Sequence, residues 1–198
     1  MKDGDAMSIN IVILGGNGYI GRQLVQTWRA RNADTKFWLL SRSGESRLDL
    51  PNVHGVAVDL TQSKLAAGSL PAQIDYIVDL VGGPKDNQEE METFNRVPAQ
   101  LMAQLAAANH PRAMGFIGGK LGPKNFVTLK HEIIHELQSS PTPLAVVEPT
   151  LVYGAGRQDQ MTRYIPILRV LGTVFPKLKP VKVEDVVQSL LDKLLVSE

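Results

Sequence analysis

Four glycines stand within seven residues, Gly15, Gly16, Gly18 and Gly21, directly after the apolar run 9–14. Gly16, Gly18 and Gly21 spell G-x-G-x-x-G, and Gly15, Gly18 and Gly21 spell G-x-x-G-x-x-G. Both patterns suit one chemistry, the binding of a dinucleotide pyrophosphate. One glycine turns the chain sharply out of a strand. One leaves the backbone bare where the phosphates approach, and one lets helix and strand pack closely. The phosphates then rest on free N–H groups at a helix N-terminus, where the helix dipole is positive. Asn17, Gly18, Tyr19 and Ile20 are therefore expected to line the pyrophosphate, mainly through their backbone. A second test lies roughly 20 residues on, at the end of the next strand, where NAD binders tend to carry a carboxylate for the ribose hydroxyls. Here Ser41, Arg42 and Ser43 stand instead. An arginine at that point can take the 2′-phosphate of NADP, with Arg47 assisting. NADP is expected ahead of NAD, which stays open.

Residues 131–135 read H-E-I-I-H. On a helix this spacing puts His131 and His135 on one face, where both could reach a zinc ion, with Glu132 as base. The longer form of the motif fails, because Gln138 holds its glycine position and no third histidine follows. A third ligand would have to come from elsewhere, with Glu148 as the candidate. The expectation is a half-exposed polar helix face beside Ile133, Ile134 and Leu137, with no metal.

The elements that would position these residues alternate. Strands are expected at 9–14, 36–41, 53–60, 74–83, 113–119 and 143–150 from their short β-branched or apolar runs. Helices are expected at 20–32, 86–109, 125–139, 158–171 and 183–195, with Pro98 splitting or bending the second. Glu184 and Asp185 sit in the first turn of the last helix, where the dipole favours carboxylates. This alternation implies an α/β fold, a doubly wound parallel sheet of Rossmann type. Residues 1–7 read as a lead, 8–198 as one domain, and 154–182 as a small C-terminal lobe beside the substrate.

Bulk composition excludes several classes. With 21 Lys plus Arg against 20 Asp plus Glu, the formal charge is +1, which gives no electrostatic case for nucleic acid. No segment has the length and apolarity of a membrane span. There is no cysteine, so thiol catalysis is excluded and a cytoplasmic setting is expected. An apolar share of 43% is enough for a sizeable core.

Taken in order, "GGNGYIG" (15–21), "SRSG" (41–44), "VDLT" (58–61) and "LVGG" (80–83) resemble the short-chain dehydrogenase/reductase superfamily in its extended or atypical branch. Asn95 in "FNRVPAQL", "VEPTLVYGAGR" (147–157) and "PVKVEDVVQSLL" (180–191) extend the resemblance over nearly the whole chain. The glycine and "SRSG" pairing is also similar to atypical members associated with respiratory complex I and ubiquinone synthesis. The resemblance implies that Asp59 and Leu60 flank the adenine, that Val81 and Gly82 line the ribose and nicotinamide side, and that Lys130 holds the nicotinamide ribose. Glu148 stands where the family usually has Arg.

The family's catalytic signature is Tyr-x-x-x-Lys, in which the lysine helps stabilise a phenolate whose ordinary pKa is near 10. The equivalent stretch here is "FVTLK": Lys130 is present and Phe126 takes the tyrosine position. The partner serine is also missing, since the fifth strand ends in Gly118 and Gly119. Three readings stay open. The chain is an NAD(P)-dependent oxidoreductase whose acceptor, such as a quinone or flavin, needs no phenol, with Tyr153, Thr128 or His131 as candidate proton donors. Or it binds the dinucleotide without chemistry, as a redox sensor or assembly factor. Or another group on a differently aligned helix fills the role. The partners expected are the cofactor and a small molecule, and the long helix from Asp86 is a candidate for pairing with a second copy.

Overall fold

The computed structural model describes residues 8–62, 68–154 and 179–196. The chain runs β1 (Asn10–Leu14), α1 (Tyr19–Arg31), β2 (Lys36–Ser41), β3 (Val53–Ala57), β4 (Tyr76–Asp79), α2 (Gln88–Asn109), β5 (Ala113–Ile117), α3 (Lys124–Gln138) and β6 (Leu144–Val147). A two-residue strand β7 (Val152–Tyr153), its partner β8 (Val181–Lys182) and α4 (Val183–Val196) follow. The expected helix at 158–171, and with it most of the 154–182 lobe, lies outside the described residues.

The six main strands form one parallel sheet in the order β3-β2-β1-β4-β5-β6. β1 is central and sheathed on both faces, which explains why its residues read as a continuous apolar run: Ile11, Val12, Ile13 and Leu14 are all fully buried. Ile11 and Ile13 point to the face covered by α1 and α4, and Val12 and Leu14 to the face covered by α2 and α3. Each buried side chain of this size contributes roughly 1.5–3 kcal/mol.

Apart from β2, the strands of the main sheet are shorter than the sequence runs, and for β3 and β4 the reasons are visible. β4 stops at Asp79 because its own carboxylate takes the Val81 N–H, at 2.9 Å, and Asn95 on α2 takes the Gly83 N–H, at 3.0 Å. These bonds pull 80–83 out of the ladder and over the C-terminal edge of the sheet. β3 pairs only with β2, and that pairing ends with Val58 N–H donating to Ser41 O. Pro98 does not split α2, which is one helix from Gln88 to Asn109, capped by Asn87 accepting from Glu90 N–H. The parallel β7–β8 pair has no expectation behind it, since two residues carry no period-2 pattern.

Candidate functional site

The glycine turn sits between β1 and α1, at the centre of the sheet's C-terminal edge. Gly15 adopts φ +75°, a left-handed conformation that L side chains rarely reach. A Cβ on Gly21 would lie 2.4 Å from Gly16 O, so the start of α1 can rest on the turn only if residue 21 is bare. Gly18 differs: a Cβ there would meet only Gly15 O, at 3.0 Å. Packing therefore constrains residue 18 less than residue 21. Gly18 caps α1 without any side-chain hydrogen bond, and the first turn holds no acid. The positive dipole end of α1 thus meets no side-chain cap and no first-turn acid.

A cleft of about 370 Å³ opens beside this turn, lined by Gly15, Ser41, Arg42, Asp59, Leu60 and Val81, among others. It joins Gly15 of the turn with Arg42, Asp59, Leu60 and Val81, while Asn17, Gly18, Gly82 and Lys130 do not line it. The Thr61 hydroxyl and amide donate to Asp59, at 2.7 and 3.0 Å, and hold its carboxyl below the ordinary value. Asn17 ties the turn to the loop after β2. Its amide donates to Ser41 Oγ at 3.2 Å and to Glu45 O at 2.6 Å, and its oxygen accepts from Arg47 N–H at 2.9 Å. Arg47 thus enters through its backbone, while Ser43 is exposed and caps Glu45 N–H. Tyr19 projects the other way, its hydroxyl donating to Gly154 O at 2.8 Å. Ile20, half-buried, packs against the core on the α1 and α4 side.

Lys130 lies on the inner face of α3, only 3% exposed. Its Nζ donates to Val81 O at 3.4 Å and sits 4.4 Å from the centre of the Phe116 ring. A Cβ on Gly82 would come 2.7 Å from that ammonium, so residue 82 is bare where the lysine enters. Phe126, one turn earlier, is buried against the 119–122 loop, where a Gly122 Cβ would stand 2.9 Å from its Cδ1. Gly118 lacks the serine hydroxyl, and the side chains of Glu148 and Ile134 fill the space a Cβ would enter, at 2.8 and 3.1 Å.

One residue was not anticipated. Asp79, at the end of β4, is fully buried, and its Oδ2 has no hydrogen-bond partner among the described residues. Burial pushes its carboxyl up to about 7, against the lowering pull of Lys130 and the Val81 N–H. Burial likewise lowers Lys130 to about 8, against the raising pull of Asp79. The available signal was a carboxylate inside the otherwise apolar run "YIVDLV".

Other candidates separate from this cleft. Thr128 lines a different groove with Gln88 and Glu92. Tyr153 lines a larger pocket of about 1030 Å³ with Lys120, His131, Glu148 and Lys182. His131 Nε2 comes 3.1 Å from Glu148 Oε1, though the two are not aligned as a hydrogen bond. Of the H-E-x-x-H stretch, Glu132 instead binds Arg96 at 2.8 Å, and His135 is exposed. Among the described residues, no three His, Cys, Asp or Glu converge as a metal site.

A parallel sheet of this strand order, with a glycine turn at its switch point, defines the Rossmann class of nucleotide-binding proteins. Residues 11–130 match the NAD dependent epimerase/dehydratase family, more than half of the chain, and the chain belongs to that family. Solved structures that share the fold include several named as epimerases. Bordetella bronchiseptica WbmH in complex with NAD+ is 16% identical, with TM-score 0.70, over 94% of this chain and 72% of that one. B. bronchiseptica WbmG in complex with NAD and UDP is 13% identical, with TM-score 0.71, over 96% and 70%. The human epimerase family protein SDR39U1 with NADPH is 21% identical, with TM-score 0.65, over 96% and 71%. No curated protein sequence matches the chain. Among the described residues, no helix is long and apolar enough to cross a membrane.

Proposed function

We propose that this chain is an NAD(P)-dependent oxidoreductase that works without the family's phenol, with NADP its preferred cofactor. The observation that carries the reading is Lys130, buried beneath a glycine-turn cleft with Phe126, not tyrosine, one turn before it. The residues fit a dinucleotide. Gly18 and the uncapped head of α1 would take the pyrophosphate, Arg42 a 2′-phosphate, and Asp59 and Leu60 the adenine side. Val81, Gly82 and Lys130 would hold the nicotinamide half. When bound, the nicotinamide supplies hydride chemistry. A quinone or flavin acceptor suits the site because neither needs a phenol to polarise a carbonyl. The pocket holding Tyr153 and His131 is the proposed place for the small molecule.

A second reading is a cofactor-binding sensor or assembly factor. The simultaneous absence of the phenol at 126 and the hydroxyl at 118 favours it. NADPH oxidation in the presence of a soluble quinone or FMN separates the two. Turnover above the protein-free rate supports the oxidoreductase. Tight NADPH binding with no turnover supports the sensor.

A further inference from the structure

Asp79 and Lys130 grip one residue from opposite ends. Asp79 Oδ1 accepts the Val81 N–H at 2.9 Å, and Lys130 Nζ donates to the Val81 carbonyl at 3.4 Å. Val81 itself lines the cleft, its Cγ2 lying 3.0 Å from where a Gly15 Cβ would stand. Both ionisable groups are enclosed, Asp79 fully and Lys130 to within 3%. Neither is saturated: Asp79 Oδ2 has no hydrogen-bond partner among the described residues, and the lysine has one long backbone acceptor and an aromatic face. Two buried charges kept for structure alone would be expected to satisfy each other's remaining donors and acceptors. This pair leaves them open, and Val81, which both groups hold, is the residue through which they meet the cleft.

We propose that Asp79 and Lys130 form a buried proton store under the nicotinamide half of the cleft, which gives up a proton when the oxidised dinucleotide replaces the reduced one. The proposal rests on the cofactor reading above. The physical reason is charge. The oxidised nicotinamide carries a positive charge and the reduced ring does not. Placed beside Val81 and Gly82, a positive ring disfavours the lysine ammonium through a medium that screens poorly. The surroundings leave the pair responsive to that added charge. Asn95 from α2 and Phe116 from β5 face it without titrating, and the charge that acts on each member is the other's. Burial moves the two groups toward each other, to about 7 and about 8, so a modest added charge shifts their occupancy near neutrality. In hydride transfer to a quinone, Lys130 Nζ supplies the proton that the reduced oxygen takes up and solvent returns it, so that NADPH, one proton and quinone give NADP+ and hydroquinone. The lysine thereby replaces the phenol as the proton source.

The test needs no turnover. NADP+ and NADPH are titrated calorimetrically into the protein in phosphate and in Tris, whose different ionisation heats reveal protons exchanged on binding. The 2′-phosphate and pyrophosphate are common to both nucleotides, so their protons cancel in the comparison. The wild-type protein is expected to release more protons with NADP+ than with NADPH. Its NADP+ to NADPH affinity ratio should rise with pH, by up to about tenfold per unit between about pH 6 and 9. Lys130→Met and Asp79→Asn should each remove the difference while still binding 2′,5′-ADP, which engages only the adenosine half. Equal proton release for the two nucleotides in wild type, or a difference that survives both substitutions, would overturn the proposal. The wild-type pH series decides the matter alone if a variant does not fold. If neither nucleotide nor 2′,5′-ADP binds, the cofactor reading falls first and the proton store with it.

Discussion

Phe126 and Lys130 stand one turn apart on the buried face of α3, the ring against Gly122 and the ammonium under Gly82. On the proposed reading the helix keeps the spacing of the family's Tyr-x-x-x-Lys pair, with phenylalanine in the tyrosine position. The ring's Cζ lies 3.5 Å from where a Gly119 Cβ would be, so a hydroxyl added there has a bare glycine beside it. Phe126→Tyr is predicted to fold and to add NADPH-dependent reduction of a ketone, seen as loss of nicotinamide absorbance. A positioned general acid is worth roughly 10²–10⁴-fold, and with Gly118 supplying no hydroxyl the gain should sit near the lower end. If the proposed quinone reduction is the activity, it does not use the phenol and should change little. A variant with no ketone activity would mean the para position does not face the nicotinamide.

The Asp79–Lys130 pair should also show in stability against pH, with an unusual sign for both members. Asp79 is raised from 3.8 to about 7, so its contribution to stability is whole below 3.8 and is lost as pH climbs through that window. Lys130 is lowered from 10.5 to about 8, so its contribution is lost as pH falls from 10.5 and is regained above about 8. Between the two values both penalties operate together, offset in part by mutual attraction. Replacing the pair with Asp79→Leu and Lys130→Met is therefore predicted to stabilise the fold near neutral pH by about 1–4 kcal/mol, at the expense of function. Lys130→Met alone should destabilise, because it strands a buried carboxylate. Urea denaturation of the three proteins checks this, and a double variant less stable than wild type would contradict it.

How much of this was legible in the sequence depends on the range of the interaction. β2 ran Lys36–Ser41 as its apolar run implied, and β1, α1 and α3 shifted by a residue. In each, local pattern and tertiary burial agree. That Gly15 and Arg42 share one cleft was legible because their spacing is fixed within one β-α-β unit. Asp79 was not, because its meaning comes from Lys130, 51 positions away along the chain, and only the strand order brings β4 beside α3's inner face. Thr128 is the opposite case. It was a candidate proton donor with nothing in the sequence to place it; two residues from Lys130 on a helix is more than half a turn, and it lines a different groove.

The glycines of the turn should divide by experiment into packing and ligand roles. Gly21→Ala sets a Cβ 2.4 Å from a backbone carbonyl oxygen that cannot rotate away. The loss from overpacking, about 1–3 kcal/mol, should outweigh the 0.5–1 kcal/mol that alanine gains in a helix. Gly18→Ala meets one atom at 3.0 Å and should keep most of its stability while losing nucleotide affinity at least tenfold. Denaturation and calorimetry on both variants give the split. If Gly18→Ala binds nucleotide as wild type does, the phosphates do not pass over residue 18.

Asn17 predicts a separation within the cofactor itself. Its three hydrogen bonds fasten the glycine turn to residues 41, 45 and 47, and so fix the loop that carries Arg42. Arg42 is exposed, and Asp59 acts on it through charge alone among the described residues, so the backbone beneath it supplies the order. Asn17→Ala frees that loop without touching the arginine. Affinity for NADPH and 2′,5′-ADP should fall by about tenfold, the scale of one charge-assisted contact, while affinity for NADH stays within a few-fold. Arg42→Ala should produce the same pattern, and the double variant little more, since both act on one contact. Tryptic cleavage after Arg42 and Arg47 should quicken in Asn17→Ala, which reads loop order without any nucleotide. Equal losses for NADPH and NADH would place Asn17 at the pyrophosphate instead and leave the 2′-phosphate without a prepared site.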